Sequence, residues 1–298
     1  MSIMAGGCAM FLSESFEENV KKLDNIFENC DDVKKLDVKI EYLNKIKGKI
    51  YFLEEAVSDI TLRKVIYGLT DVQKVNTIED MVTGVMIGNA ILVIDGENYA
   101  LKIRGDGYPG MGVQEAKNEQ VIRGSSEGFS TSYKTNEVLV RKKIRNPQLK
   151  VEEQFVGRRS NTGVALLYMD TIVQKELLDE VKKRLKSFEI DGFMDSGVIE
   201  QLTNDNEFSP FPQYMTTERP DRAAQFLLDG HVVVIVDNSP VALVLPVNFA
   251  SFMKTADDYY SRWEIVSLER ILRYIAVFFA ISLLALYISV VNFHRHLD

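Results

Sequence analysis

Apolar positions follow two rhythms along this chain, one of about 3.6 residues and one of alternating or continuous short runs. Residues 13–29 carry Phe16, Val20, Leu23, Ile26 and Phe27 at helical spacing, with Ser13 able to cap the start. Residues 36–43 and 49–53 predict strands around a turn at 44–48. Helical patterns return at 61–69 and at 77–87, where Gly88 stands as a stop. The runs 91–94 and 99–104 flank Asp95-Gly96-Glu97-Asn98, a hairpin signal. A glycine-rich break at 105–112 follows, then a helical pattern at 127–144 closed by Arg145-Asn146-Pro147.

The second half reads similarly. A strand at 164–168 precedes a helix at 175–187, with Leu177, Leu178, Val181 and Leu185 on one face. A short helix at 198–202 leads to a proline-bounded loop at 209–212. Pro220 and Asp221 open a helix over 222–228, with Gly230 beyond its end. The strands 232–236 and 241–245 flank Asp237-Asn238-Ser239-Pro240 and are almost wholly apolar, which predicts a sheet covered on both faces. No internal repeat or low-complexity tract is apparent.

Strands alternating with helices predict an α/β fold in two subdomains, residues 1–104 and 151–257, joined by the break and connecting helix of 105–150. A juxtamembrane helix is expected at 258–273 and a transmembrane helix at 274–293. The run 274–291 holds 18 residues without a charge, near the length that crosses a ~30 Å hydrocarbon core. Lys254, Arg262, Arg270 and Arg273 precede it and only Arg295 follows, so the large domain is expected on the cytoplasmic side. Trp263, Arg270 and Arg273 are the expected membrane-interface residues.

Composition narrows the options. A formal charge of −8 over 298 residues argues against a general nucleic-acid binder, which needs clustered Lys and Arg in excess. Two cysteines, Cys8 and Cys30, cannot make a disulfide framework and suit a reducing compartment. The start lacks the basic segment and long apolar core of a signal peptide, so the amino terminus is expected to stay inside.

Candidate chemistry is sparse. Gly105-Asp106-Gly107-Tyr108-Pro109-Gly110 matches G-x-G-x-x-G, but Pro109 interrupts the loop and no helix opens at its last glycine, as a dinucleotide site requires. His231, His294 and His296 stand outside any cluster at metal-ligand spacing, and no triad can be assembled. No catalytic residue, cofactor or metal is expected. Arg141, Lys142, Lys143, Arg145, Lys150, Arg158 and Arg159 form a basic cluster, read as a solvated helix end or as a clamp on carboxylates or anionic lipid. In Thr217-Glu218-Arg219-Pro220-Asp221 the expected role is helix capping by Thr217 or Glu218, with an ion-pair joint as the alternative.

Several ordered strings resemble one family. Val121-Ile122-Arg123-Gly124-Ser125-Ser126-Glu127-Gly128-Phe129, then Asn136, then Val140-Arg141-Lys142-Lys143-Ile144, are similar to a block of GerA-family A-type subunits. Gly157-Arg158-Arg159-Ser160-Asn161-Thr162 resembles the next block. Pro210-Phe211-Pro212, Thr217 to Asp221 and residues 230–246 resemble the third, and Asn292-Phe293-His294 the end of the first membrane helix. The resemblance implies a germinant-receptor subunit of the spore inner membrane. Such a subunit acts in nutrient-triggered germination with a B-type membrane subunit and a C-type lipoprotein, as part of an oligomeric ion channel. Tyr108-Pro109-Gly110 is similar to the dipicolinate-channel-linked branch, so both branches stay open. The structural signature implied is Arg123, Gly124, Gly128, Phe129, Asn136, Arg141, Gly157, Arg159, Ser160, Glu218, Arg219, Pro220 and Asp221, with the arginines holding carboxylates across the lobe junction. Family members continue through further membrane helices, whereas this sequence stops at Asp298, so a truncated product or fragment is expected and conduction by this chain alone is not. The rival readings are a membrane-anchored nucleotide-binding enzyme using the glycine loop and a non-conducting remnant.

Overall fold

The computed structural model describes residues 11–13, 15–40, 46–58, 61–63, 72–105, 107–108, 115–121, 124–186, 191–192, 196–203 and 212–293. Helix α1 (Phe16–Ile26) is followed by strands β1 (Val33–Ile40), β2 (Ile46–Leu53) and β3 (Val72–Val75), helix α2 (Ile78–Met86), and strands β4 (Ala90–Ile94) and β5 (Ala100–Ile103). Next come α3 (Tyr133–Lys143), β6 (Leu149–Val156), β7 (Thr162–Met169), α4 (Lys175–Lys186), α5 (Ser196–Thr203), β8 (Met215–Thr217), α6 (Pro220–Leu228), β9 (Val232–Val236), β10 (Ala242–Leu245), α7 (Phe249–Phe252) and α8 (Trp263–Phe293).

The strands form two five-stranded sheets, ordered β1-β2-β4-β5-β3 and β6-β7-β9-β10-β8, and every pairing is antiparallel. Both faces of the second sheet are covered. Val233, Ile235, Ala242 and Val244 face α3 and α6, while Val232, Val234, Val236, Leu243 and Leu245 face α4 and α5. This double cover explains why β9 and β10 read as continuous apolar runs although their sheet is antiparallel.

The two halves are one topology used twice, which overturns the expectation of no internal repeat. In each, a helix and a hairpin precede an edge strand, a helix and a second hairpin, and the strand orders match position for position. Residues 78–103 correspond to 220–245 at a constant offset, so Gly88 (φ 93°) and Gly230 (φ 90°) both end a helix before a central strand. The correspondence reaches single hydrogen bonds. Asn19 Nδ2 donates to the Ser13 carbonyl and its Oδ1 accepts from Ser13 N, and Asn136 does the same with Ser130. Leu12 N donates to the Asn76 carbonyl as Phe129 N does to the Glu218 carbonyl. The repeated string Ser-x-Ser-aromatic-x-x-Asn, at 13–19 and 130–136, was the legible trace.

Other differences are local. Gly48 lies in the ladder opposite Val38 rather than in a turn. Helix α3 starts six residues later than its apolar pattern suggests, because Ser132 caps it and Phe129 is extended to pair with Glu218. The short edge strands β3 and β8 carry no periodic signal of their own. Most of the helix expected at 61–69 and the loop at 209–211 lie outside the described residues.

Candidate functional site

The sequence Thr217-Glu218-Arg219-Pro220-Asp221 turns edge strand β8 into α6. Pro220 occupies the first helical position and Arg219 the N-cap, where its side chain makes no capping bond. The guanidinium instead fans outward. Nε and Nη2 donate to Asp221 Oδ1 and Oδ2 at 3.1 and 2.7 Å, Nη2 to the Ser125 carbonyl at 2.8 Å, and Nη1 to the Glu119 carbonyl at 3.1 Å. Arg219 is 1% exposed, so these bonds satisfy a charge withdrawn from water. Of the expected capping residues, Thr217 Oγ1 accepts the N–H of Arg219 at the helix entry at 3.2 Å, whereas the expectation for Glu218 is corrected. Thr217 Oγ1 donates to Glu119 at 2.6 Å, and the Glu218 carboxylate accepts the backbone N–H groups of Lys117 and Asn118 at 3.0 and 3.1 Å. The ion-pair alternative describes the joint better, and its partner is the incoming segment 115–129.

This joint continues toward the apolar helix. Asp221 Oδ2 also accepts the Tyr260 hydroxyl. Burial, followed by the hydrogen bond to Asp221, pushes the Tyr260 phenol up, so it remains a donor. The Tyr260 ring lies on Gly124, whose φ is +122° and whose missing Cβ would stand 2.6 Å from Tyr260 Cε2. Only glycine combines that backbone with that approach.

Two residues before Tyr260, Asp258 receives the first turns of α8. Arg270 Nε donates to its Oδ2 at 2.9 Å, Arg273 Nη2 to its Oδ1 at 2.7 Å, and Thr255 Oγ1 to its Oδ1 at 2.9 Å. The Asp258 side chain is fully buried. Burial opposes ionisation, but the bonds from Arg273, Arg270 and Thr255 outweigh it and hold the carboxyl at about 2. Arg273 Nη1 further donates to the Met253 carbonyl at 2.7 Å. The cations expected at the membrane interface are thus directed at an internal carboxylate. Helix α8 itself is 31 residues long and unbroken, and its apolar window is unburied by the rest of the fold. Among the described residues it is the one helix long and apolar enough to cross a membrane.

A second constellation lies where the two sheets meet. Arg141 on α3 donates from Nε and Nη2 to the two Asp32 oxygens at 2.8 and 2.9 Å, and from Nη1 to the Asn146 carbonyl at 2.8 Å. Both side chains are sealed from solvent, at 0% and 1% exposure. Around them Asp31 N and the Val151 carbonyl, and Val151 N and the Asn29 carbonyl, make a short backbone bridge between the halves. Lys150 Nζ donates to the Ile26 and Glu28 carbonyls at 3.2 and 2.6 Å. Cys30 is buried there too, and burial pushes its thiol up, which makes it an inert packing residue. Glu137, one helical turn before Arg141, is 1% exposed, and its Oε1 has no hydrogen-bond partner among the described residues. Burial first, then the charge of Glu153, raises its carboxyl well above the usual carboxylate range.

The remaining signature residues separate. Phe129 and Asn136 pack and staple the segment 128–130 onto α3, beside buried Gly128. Gly157 (φ 93°), Arg159 and Ser160 form the β6–β7 turn, far from the joint, with Arg159 and Ser160 N both donating to the Asp191 carbonyl. Arg123 lies outside the described residues, as do Asp106, Pro109 and Gly110 of the glycine loop. The described part of that loop is structural, since a Cβ on Gly105 would stand 1.9 Å from the Gly88 carbonyl oxygen. The basic cluster divides: Lys142 and Lys143 bind Glu127, and Arg145 lies over the Tyr108 ring. The sequence missed the roles of Asp32, Glu119, Asp258 and Tyr260, whose partners Arg141, Thr217, Arg270 and Asp221 stand 12 to 109 residues away in the chain. No group of three metal-ligating side chains occurs among the described residues.

The described residues thus define a two-lobed α/β domain that carries an apolar helix on an internal ion pair. Comparison with known proteins gives the family. The family model described as Bacillus/Clostridium GerA spore germination protein matches residues 61–297, and the chain belongs to the GerA family. It is 32% identical to an uncharacterized membrane protein, YfkQ, of Bacillus subtilis, covering 96% of this chain and 60% of that one. It is 39% identical to spore germination protein KA of the same organism, covering 71% and 39%. The crystal structure of the N-terminal domain of the A subunit of the Bacillus megaterium spore germinant receptor GerK3 superposes with a TM-score of 0.62 at 25% identity, covering 82% of this chain and 99% of that domain. The chain spans between about two fifths and three fifths of the curated relatives' length. One of these relatives is described as a spore germination protein and another as part of a germinant receptor's A subunit, and none is described as an enzyme.

Proposed function

We propose that this chain forms the cytoplasmic and first membrane-spanning part of a germinant-receptor subunit in the spore inner membrane, acting in nutrient-triggered germination. In this reading its partners are a B-type membrane subunit, a C-type lipoprotein and further copies of itself, assembled as a ligand-gated ion channel. The folded lobes pass their state to the membrane helix through the contacts of Arg219, Asp221 and Tyr260, and through Asp258, two residues before Tyr260, which binds Arg270 and Arg273. One observation carries it: a fully buried carboxylate binds Arg270 and Arg273 at the base of an otherwise uncovered apolar helix. A tether that merely anchored the domain would need no such internal pair, because an exposed linker suffices.

The test is made in spores of the native host. Asp258→Asn, at normal protein abundance in the inner membrane, is expected to slow or abolish the response to nutrient while leaving germination by exogenous dipicolinate salts intact. An unchanged nutrient response would refute the coupling role. Labelling of a cysteine introduced at exposed Asp95 only after the membrane is opened would support the inward orientation, and labelling of sealed vesicles from outside would refute it.

A further inference from the structure

Chain segment 253–263 runs back along the first turns of α8, and this fixes which part of the fold meets the lipid surface. Arg273 grips the Met253 carbonyl, whereas Trp263 begins the helix at the opposite end of the contact. On α8 Val266 is buried, and Arg270 and Arg273 are half-buried against Asp258, with Arg273 the last residue before the uncharged run. The folded mass therefore reaches the level at which the uncharged run begins.

At that level sits α7. Phe249 and Phe252 are 51% and 37% exposed on this single turn, with Ser251 turned inward. No charge occurs from Val241 to Met253. Trp263 is 75% exposed, but it precedes Tyr274 by eleven residues, about 16 Å of helix. A headgroup layer is only about 5–8 Å deep on each side. Even a tilt of ~40° leaves Trp263 about 12 Å from the hydrocarbon boundary.

We infer that α7 is a lipid-contact surface: Phe249 and Phe252 insert into the bilayer interface beside α8, and Trp263 stands clear of it. The occupant is lipid because the patch is continuous with the base of the apolar span and tied to it through Met253 and Arg273. Aromatic side chains on an uncharged turn suit that layer. The inference rests on α8 spanning the membrane, as proposed above.

The experiment uses the full chain reconstituted in phosphatidylcholine/phosphatidylglycerol nanodiscs containing lipids brominated near the top of the acyl chains, for positions 252 and 263, or near the chain ends, for position 283. Trp263 is the one natural tryptophan, so it reports its own position. In a Trp263→Phe background, Phe252→Trp reports α7 and Leu283→Trp reports the span, ten residues or about 15 Å beyond Arg273. Bromolipid is expected to reduce emission from Phe252→Trp and Leu283→Trp at least twofold, and from natural Trp263 by less than a fifth. Quenching of Leu283→Trp without Phe252→Trp overturns the α7 assignment and leaves the span intact. Blue-shifted but unquenched Phe252→Trp emission means protein covers the patch and overturns it equally. Quenching of Trp263 as strong as that of Phe252→Trp overturns the order of depths. If Leu283→Trp is unquenched, the spanning reading itself fails and the inference with it.

Discussion

Replacing Asp32 by Asn is the sharpest test of how the two lobes are held. The change is nearly isosteric, yet it removes the negative charge facing a guanidinium with no solvent exposure. One of the two bonds at 2.8 and 2.9 Å then meets an amide N–H instead of a lone pair. Cys30, the other acidic group nearby, is pushed up by burial and offers no counter-charge. Breaking a buried pair by removing one partner costs about 3–5 kcal/mol, roughly a fifth or more of a typical domain stability of ~5–15 kcal/mol. With a urea slope of roughly 2 kcal/mol per M, the midpoint should fall by about 1.5–2.5 M. The measurement is urea unfolding of the detergent-solubilised chain by circular dichroism, with limited proteolysis between the lobes as a local probe. Asp32→Leu combined with Arg141→Met should recover most of the loss, because the apolar pair leaves no buried charge. A midpoint shift below ~0.5 M for the single variant would refute the buried-charge argument.

Glu137→Gln is expected to stabilise the protein at pH 8. The raised folded-state value means that protonation favours folding, so this group's contribution is full below the unfolded value near 4.3 and is lost as pH rises through the folded one. Unfolding midpoints of wild type and variant should converge below about pH 4 and separate above it. Asp258 has the opposite sign. Its carboxyl is held at about 2, so the stability it adds, about 2–3 kcal/mol, is present above pH ~4 and lost as pH falls toward 2. Asp258→Asn should abolish that acid dependence and speed proteolysis between Met253 and Trp263. Gly124→Ala should cost about 1–3 kcal/mol in thermal unfolding, since its Cβ meets the Tyr260 ring on a backbone of φ +122°. Tyr260→Phe, which keeps the ring and loses the bond to Asp221, should cost less.

Much of this protein was legible from local rules. Gly88 and Gly230 after helices and the Asp95-Gly96 and Asp237-Asn238 turns placed most elements within a few residues, because helix stops and turns are decided by neighbours in the chain, whereas the cap of α1 is Ser15 rather than the expected Ser13. The uncharged run at 274–291 likewise announced itself by composition alone. The candidate site was legible only in part. Arg219 and Arg141 stood out as arginines, but the identity of their acceptors did not: Arg219 binds a carboxylate two residues away, while Arg141 reaches one 109 residues away.

Tertiary structure alone decided the rest. Two halves with little residue identity adopt one strand order because burial patterns and turn positions, not residue names, specify a sheet. Asp258 is an ordinary surface-type carboxylate in the sequence, and only the return of the chain along α8 removes it from water between two arginines. Trp263 fits a membrane interface by type, and only the packing of 253–263 against α8 sets exposed Phe252 near the base of the apolar run as the inferred lipid contact. Local sequence sets which element forms, whereas the pairing of distant charges and the level at which each aromatic stands depend on how elements pack.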